Sequence, residues 1–115
     1  MEKSPENTHH LIEIQGINPD GTLILSDDGT TIVHPGNTVT WKIGQGSGVA
    51  AIYIMDDNGS PNVFHRDLRK LPFSTDWRGR VKPYEEEVVE HYSIFFYLDR
   101  GDEIGRYDPK IQVNP

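Results

Sequence analysis

The 115-residue chain contains no cysteine. Disulfides, thiolate metal centres and cysteine nucleophiles are therefore excluded, while the redox compartment stays open, because a cysteine-free chain suits either side of a membrane. Positive charge is scarce as well: 11 Lys and Arg stand against 18 Asp and Glu, a formal net charge of -7. That balance favours solubility and opposes general attraction to nucleic acid or anionic lipid. No apolar run approaches a membrane span, and the opening MEKSPENTHH is polar and holds no stretch of signal-peptide length. A soluble chain is expected, cytoplasmic if Met1 is the native start and exported if a signal peptide has been trimmed. Catalytic motifs are missing too. There is no G-x-S-x-G, no H-E-x-x-H and no phosphate-cradling loop, since Gly44-x-Gly46-x-Gly48 joins two strand patterns and opens no helix. Asp56 and Asp57 read as turn formers beside Asn58-Gly59 and lack the ligand spacing of a Ca²⁺ loop. Nothing here predicts an enzyme.

What is present is a regular alternation of strand and turn signals. In VHPGNTVTW, residues 33–41, Pro35-Gly36 turns the backbone, after which Val39, Trp41 and Ile43 alternate with Thr38, Thr40 and Lys42. That period of two marks a half-buried strand. Further strands are predicted at His10–Ile17, Thr22–Leu25, Thr30–His34, Asn37–Ile43, Val49–Met55, His91–Leu98 and Tyr107–Val113. Asp28-Gly29 reads as a tight hairpin turn. Val49–Met55 and His91–Leu98 carry apolar side chains at successive positions, which predicts cover on both faces. Between them lies a connection longer than a hairpin needs. Ser60 as N-cap, Pro61 at the first helical position, and Phe64, Leu68 and Leu71 at i, i+4 and i+7 predict one short amphipathic helix ended by Pro72. A polar leader, 1–9, and a single domain, 10–115, follow. About seven short strands and one helical excursion predict an all-β fold, a two-sheet β-sandwich with Greek-key connections.

VHPGNTVTW resembles the V-x-P-G-x-T-V-x-W strand of cupredoxin-like domains, and YSIFFYLDRGDEIGRYDPKIQV resembles their last two strands. In particular Tyr107-Asp108-Pro109-Lys110-Ile111-x-Val113 looks like the final strand of small copper-free members. The similarity spans about residues 31 to 114 and implies a cupredoxin-like sandwich. A blue copper centre requires a thiolate and two imidazoles. The region after the tryptophan strand, KIGQGSGVA, has no histidine, and the terminal loop DRGDEIGRYD has neither Cys nor His. Blue-copper electron transfer is excluded by this chemistry.

Two constellations are candidates for function. Six of the 11 basic residues, Arg66, Arg69, Lys70, Arg78, Arg80 and Lys82, lie between 66 and 82, interleaved with Phe64, Phe73, Trp77 and Tyr84. Guanidinium groups beside aromatic rings grip an anionic ligand or a protein surface. Arg66, Arg69, Lys70, Trp77, Arg78 and Arg80 are therefore the expected binding residues, with the opposing reading that the aromatics anchor the connection to the core. The second constellation is a non-blue divalent metal site using His34, His65 or His91 with nearby carboxylates. Glu87 and His91 share a strand face but stand about 13 Å apart in extended geometry. The run Glu85-Glu86-Glu87 with Glu90 reads as a solvated strand edge, and His9 and His10 as solvated side chains of the leader. No cofactor is expected on the first reading and a divalent metal on the second. The expected function is a non-enzymatic binding module for a protein or small anionic ligand, not nucleic acid, with recognition in segment 60–84. Self-association through Tyr53, Phe95 or Tyr97 is the further partner hypothesis, conditional on those rings facing outward.

Overall fold

Alternating burial, one residue in and the next out, recurs along strand after strand in the computed structural model, which describes residues 9–56, 64, 68–82, 87–98 and 104–114. Among the described residues ten strands form: β1 His9–Ile17, β2 Leu23–Leu25, β3 Thr30–Val33, β4 Thr38–Ile43, β5 Val49–Asp56, β6 Arg69–Lys70, β7 Trp77–Arg80, β8 Val88–Leu98, β9 Ile104–Tyr107 and β10 Lys110–Val113. They make two mixed sheets. The first has the order β2-β1-β4-β7-β6 and the second β3-β10-β8-β5, with β9 also paired to β8. β1 runs parallel to β4 and β3 parallel to β10; the remaining pairs are antiparallel. The fold is all-β, and no helix occurs among the described residues.

The inner faces share one core. Ile12, Ile14, Val39 and Trp41 come from the first sheet; Ile52, Ile54, Tyr92, Ile94, Phe96, Ile111 and Val113 come from the second. Trp41 joins them. Its ring meets Tyr92 edge-on with centroids 5.6 Å apart, and its indole N–H donates to the Tyr92 hydroxyl at 3.1 Å. Trp77 of β7 donates its indole N–H to the carbonyl of Ile52 at 3.0 Å, a second tie between the sheets. The arrangement is that of a β-sandwich, each sheet burying one face against the other.

Several sequence expectations change. Asp28 and Gly29 both take positive φ, 56° and 90°, the conformation of a tight primed turn. Yet this turn is no hairpin, because β2 pairs with β1 and β3 with β10, so it carries the chain from one sheet to the other. The final predicted strand is two, β9 and β10, broken at Asp108-Pro109. On β5 only one face is covered: Ile52 and Ile54 are buried while Tyr53 and Met55 are exposed. β8 is flanked by β5 on one side and by β9 and β10 on the other, so it is interior to its sheet and not an edge. Glu87 is exposed, but Glu90 points into the core and is fully buried, against the expectation of a solvated acidic run. Most of the expected helix, together with the predicted residues Arg66, His65 and Tyr84, lies outside the described residues. Where it is described, Arg69–Lys70 is strand, because those residues pair with Arg78 and Trp77 of β7. Phe64 is nonetheless fully buried, edge-on to Trp41 at 5.4 Å, so the long connection is pinned to the core by an aromatic.

Removing the acceptor in Tyr92→Phe strands the Trp41 indole N–H in an apolar interior, which costs about 1–3 kcal/mol. Urea denaturation followed by tryptophan fluorescence is expected to show that loss with an unchanged slope.

Candidate arginine cleft

Strand alternation decides which side chains of β7 meet. Trp77 and Gly79 point inward, and Arg78 and Arg80 point outward. The register places Arg80 beside Thr38 and Arg78 beside Thr40 on β4, with Arg69 of β6 opposite Arg78 on the other side. Three guanidinium groups thus occupy adjacent strands of one outer face. They line a shallow cleft of about 230 Å³ with Thr38 and Gly79. Like charges placed directly across neighbouring strands are destabilising, so this juxtaposition is not what stability alone selects.

Gly79 floors the cleft for a steric reason. A Cβ there would come within 2.6 Å of a ring carbon of the buried Phe64. The glycine lets the phenylalanine lie directly beneath the arginine strand.

Arg78 is oriented by its neighbours. Its Nε donates to Thr40 Oγ1 at 3.0 Å, and Thr40 lies 2.9 Å from Nε2 of His9. The Thr40 hydroxyl, with one proton and two lone pairs, accepts from Arg78 and shares a second hydrogen bond with His9 Nε2, linking β1, β4 and β7 on this face. Desolvation, the Arg78 charge and the His10 charge, in that order, hold His9 below its ordinary value of 6.5. His10 donates from Nε2 to Asn37 Oδ1, which also accepts from the backbone N–H of His34. Both leader histidines are therefore engaged and not merely solvated.

The expected binding residues separate into three groups. Arg69, Arg78 and Arg80 converge on the cleft. Lys70 is exposed but lies opposite Trp77 in the register, on the alternate face. Trp77 cannot stack on a ligand there: it is buried, bonded to Ile52 and packed edge-on to Tyr53 at 4.9 Å. Phe64 is likewise core, as the anchoring alternative predicts. Phe73 is different. It sits in the loop of the β6–β7 hairpin, closed by Leu71 N–H donating to the Asp76 carbonyl, and is fully exposed with a φ of 57°. A bulky side chain in that left-handed conformation is strained. Periodicity gives no signal for this, since strain at one turn residue leaves no pattern in sequence.

Of the predicted metal ligands, His34 donates from Nδ1 to the carbonyl of Asn114, and His91 is exposed on β8 in a row with Lys110 and Thr30. The two imidazoles share no row. Among the described residues no three His, Asp or Glu side chains are grouped to hold an ion.

No protein-family model matches the chain, and no curated protein matches it at a significant level. Its chemistry is therefore read from its own residues.

Because His9 titrates below 6.5 in the folded chain, its neutral form contributes stability that is complete above 6.5 and is lost as pH falls through the lowered value. In Arg78→Ala, a ring-proton NMR titration is expected to show the His9 midpoint moving upward but staying below the reference, since desolvation remains.

Proposed function

We propose that this protein is a non-enzymatic binding module on a copper-free, cupredoxin-like Greek-key sandwich, and that its arginine cleft recognises an anionic group, phosphate or carboxylate. The observation that carries this reading is the convergence of Arg69, Arg78 and Arg80 on one cleft of a chain whose net charge is -7. Guanidinium groups offer forked donors that match the paired oxygens of carboxylate and phosphate, and Thr38 adds a hydroxyl at the same wall. The cleft is shallow and open, which suits a group presented by a larger partner. Phe73, exposed on the same hairpin, supplies an apolar contact beside the charged one.

Titration of the folded protein with inorganic phosphate and with a glutamate-rich peptide, followed by amide NMR shifts, tests the reading. Saturable shifts at Thr38, Arg78, Gly79 and Arg80 are expected, weakening as salt rises. Arg78→Glu is expected to weaken binding by about 10- to 100-fold, the equivalent of a lost charge-assisted hydrogen bond of roughly 1.5–3 kcal/mol. Shifts that do not saturate, or that persist unchanged in Arg78→Glu, sink the proposal.

Phe73→Gly separates strain from recognition. Glycine accepts the positive φ and the lost side chain buries nothing, so thermal unfolding is expected to show a gain of about 1 kcal/mol. Binding of the glutamate-rich peptide is expected to fall in the same variant.

A further inference from the structure

One polar chain crosses three strands of the arginine face. Arg78 of β7 donates from Nε to Thr40 Oγ1 on β4 at 3.0 Å, and the same oxygen lies 2.9 Å from Nε2 of His9 on β1. Register adds a second link. His9 stands beside Thr38 in the parallel pairing of β1 with β4, and Thr38 stands beside Arg80 in the antiparallel pairing of β4 with β7. The row His9, Thr38, Arg80 therefore runs across the sheet to the cleft that Thr38 and Arg80 line. His9 is exposed, so protons from solvent reach its imidazole.

The groups around this imidazole are mainly cationic. β4 contributes Thr38 and Thr40, with Lys42 farther along the strand; β7 contributes Arg78 and Arg80, and Arg69 of β6 stands behind Arg78. On β1 itself the neighbours are His10, whose Nε2 bonds Asn37 Oδ1, and Glu13, about 13 Å along the strand and beside Lys42 in the register. His34, in the turn before β4, bonds the Asn114 carbonyl through Nδ1. β2 meets β1 only from Ile14 to Ile17, away from His9. Desolvation first, then the Arg78 charge and then the His10 charge disfavour the imidazolium. The guanidinium that resists this proton is thus one that an anion in the cleft neutralises.

We propose that His9 is the proton sensor of the arginine cleft: its protonation tightens anion binding, and an anion held at Arg78 draws a proton onto His9. The inference rests on the cleft being an anion site. His9 does not line the cleft and acts through Thr40 and Arg78, so it is a positioning residue. Its two effects are reciprocal, because binding of a proton and of an anion share one coupling. A single positive charge one or two strand spacings from a dianion, screened by solvent, changes affinity about three- to tenfold. Affinity therefore rises as pH falls below 6.5, the ordinary histidine value that His9 lies beneath.

Sulfate is the probe, since it keeps both charges from pH 8 to pH 5. Its dissociation constant, read from saturating amide NMR shifts at constant ionic strength, is expected to fall about three- to tenfold over that range. Saturating sulfate is expected to raise the His9 ring-proton midpoint by about half to one pH unit, the same factor seen from the other side. His9→Gln keeps a hydrogen-bonding side chain for Thr40 without a titrating charge and is expected to remove most of the pH dependence. His9→Lys carries a permanent charge and is expected to bind at pH 8 about as tightly as the parent chain at pH 5. A pH dependence that survives in His9→Gln, or a His9 midpoint unmoved by saturating sulfate, overturns the sensor while saturable binding keeps the anion-binding reading standing. Sulfate shifts that saturate at no pH overturn both.

Discussion

Trp41 is the point through which the rest of the structure is tied. Its indole, fully buried on β4, packs edge-on against Tyr92 of the opposite sheet and against Phe64 of the long connection, and its N–H donates to the Tyr92 hydroxyl. Burying the large ring drives the sheets together, and the directional bond fixes which residues face each other. The same burial raises the Tyr92 hydroxyl far above the ordinary tyrosine range, chiefly by desolvation, so it stays neutral and keeps its acceptor role across the physiological range. Phe64 then presses on the inner side of β7, and β7 carries the arginines on its outer side. Core packing therefore sets the height of the strand on which the cleft is built.

Much of this chain of causes is visible in the sequence. The alternation around Trp41 and the Pro35-Gly36 turn predict β4, and Val39 and Trp41 are buried as predicted, while Thr40, predicted to face out, is buried as well. Turn chemistry also reads correctly: Pro19-Asp20-Gly21 closes the β1–β2 hairpin. Pairing is less legible. Asp28-Gly29 has the dihedral angles of a hairpin turn but links two sheets, because a local conformation says nothing about which distant strand each arm meets. The segment Arg69–Lys70 shows the same limit: helical spacing of Phe64, Leu68 and Leu71 is real in the sequence, and strand pairing with β7 overrides it at the end that is described.

The candidate site was legible in composition and illegible in geometry. A cluster of basic residues between 66 and 82 announces itself, yet only cross-strand register reveals that Arg69, Arg78 and Arg80 share one cleft while Lys70 does not. Interleaved aromatics carry opposite fates for the same reason. Trp77 falls on an inward strand position and Phe64, in the connection, is buried beneath Gly79, whereas Phe73 falls on a turn and is left in solvent. Side-chain type alone could not divide them, because the division is made by alternation and by the partner strand.

Segregation of charge is what this fold does with a composition that does not favour it. An acidic chain gains nothing in general stability from three arginines on adjacent strands, where mutual repulsion opposes them. Arg78 is nevertheless held in place through Thr40, and the neutral His9 at the far end of that chain spares the face a further positive charge. On the other sheet Arg106 of β9 is paired to Asp108, whose carboxyl is partly desolvated yet held low by Ser93 and Arg106. A single two-layer core thus stands between the arginines on the outer side of β7 and the indole of Trp77 that packs toward the other sheet. The alternation of strand positions, which alone puts Arg78 outside and Trp77 inside, is sufficient to keep the two chemistries apart.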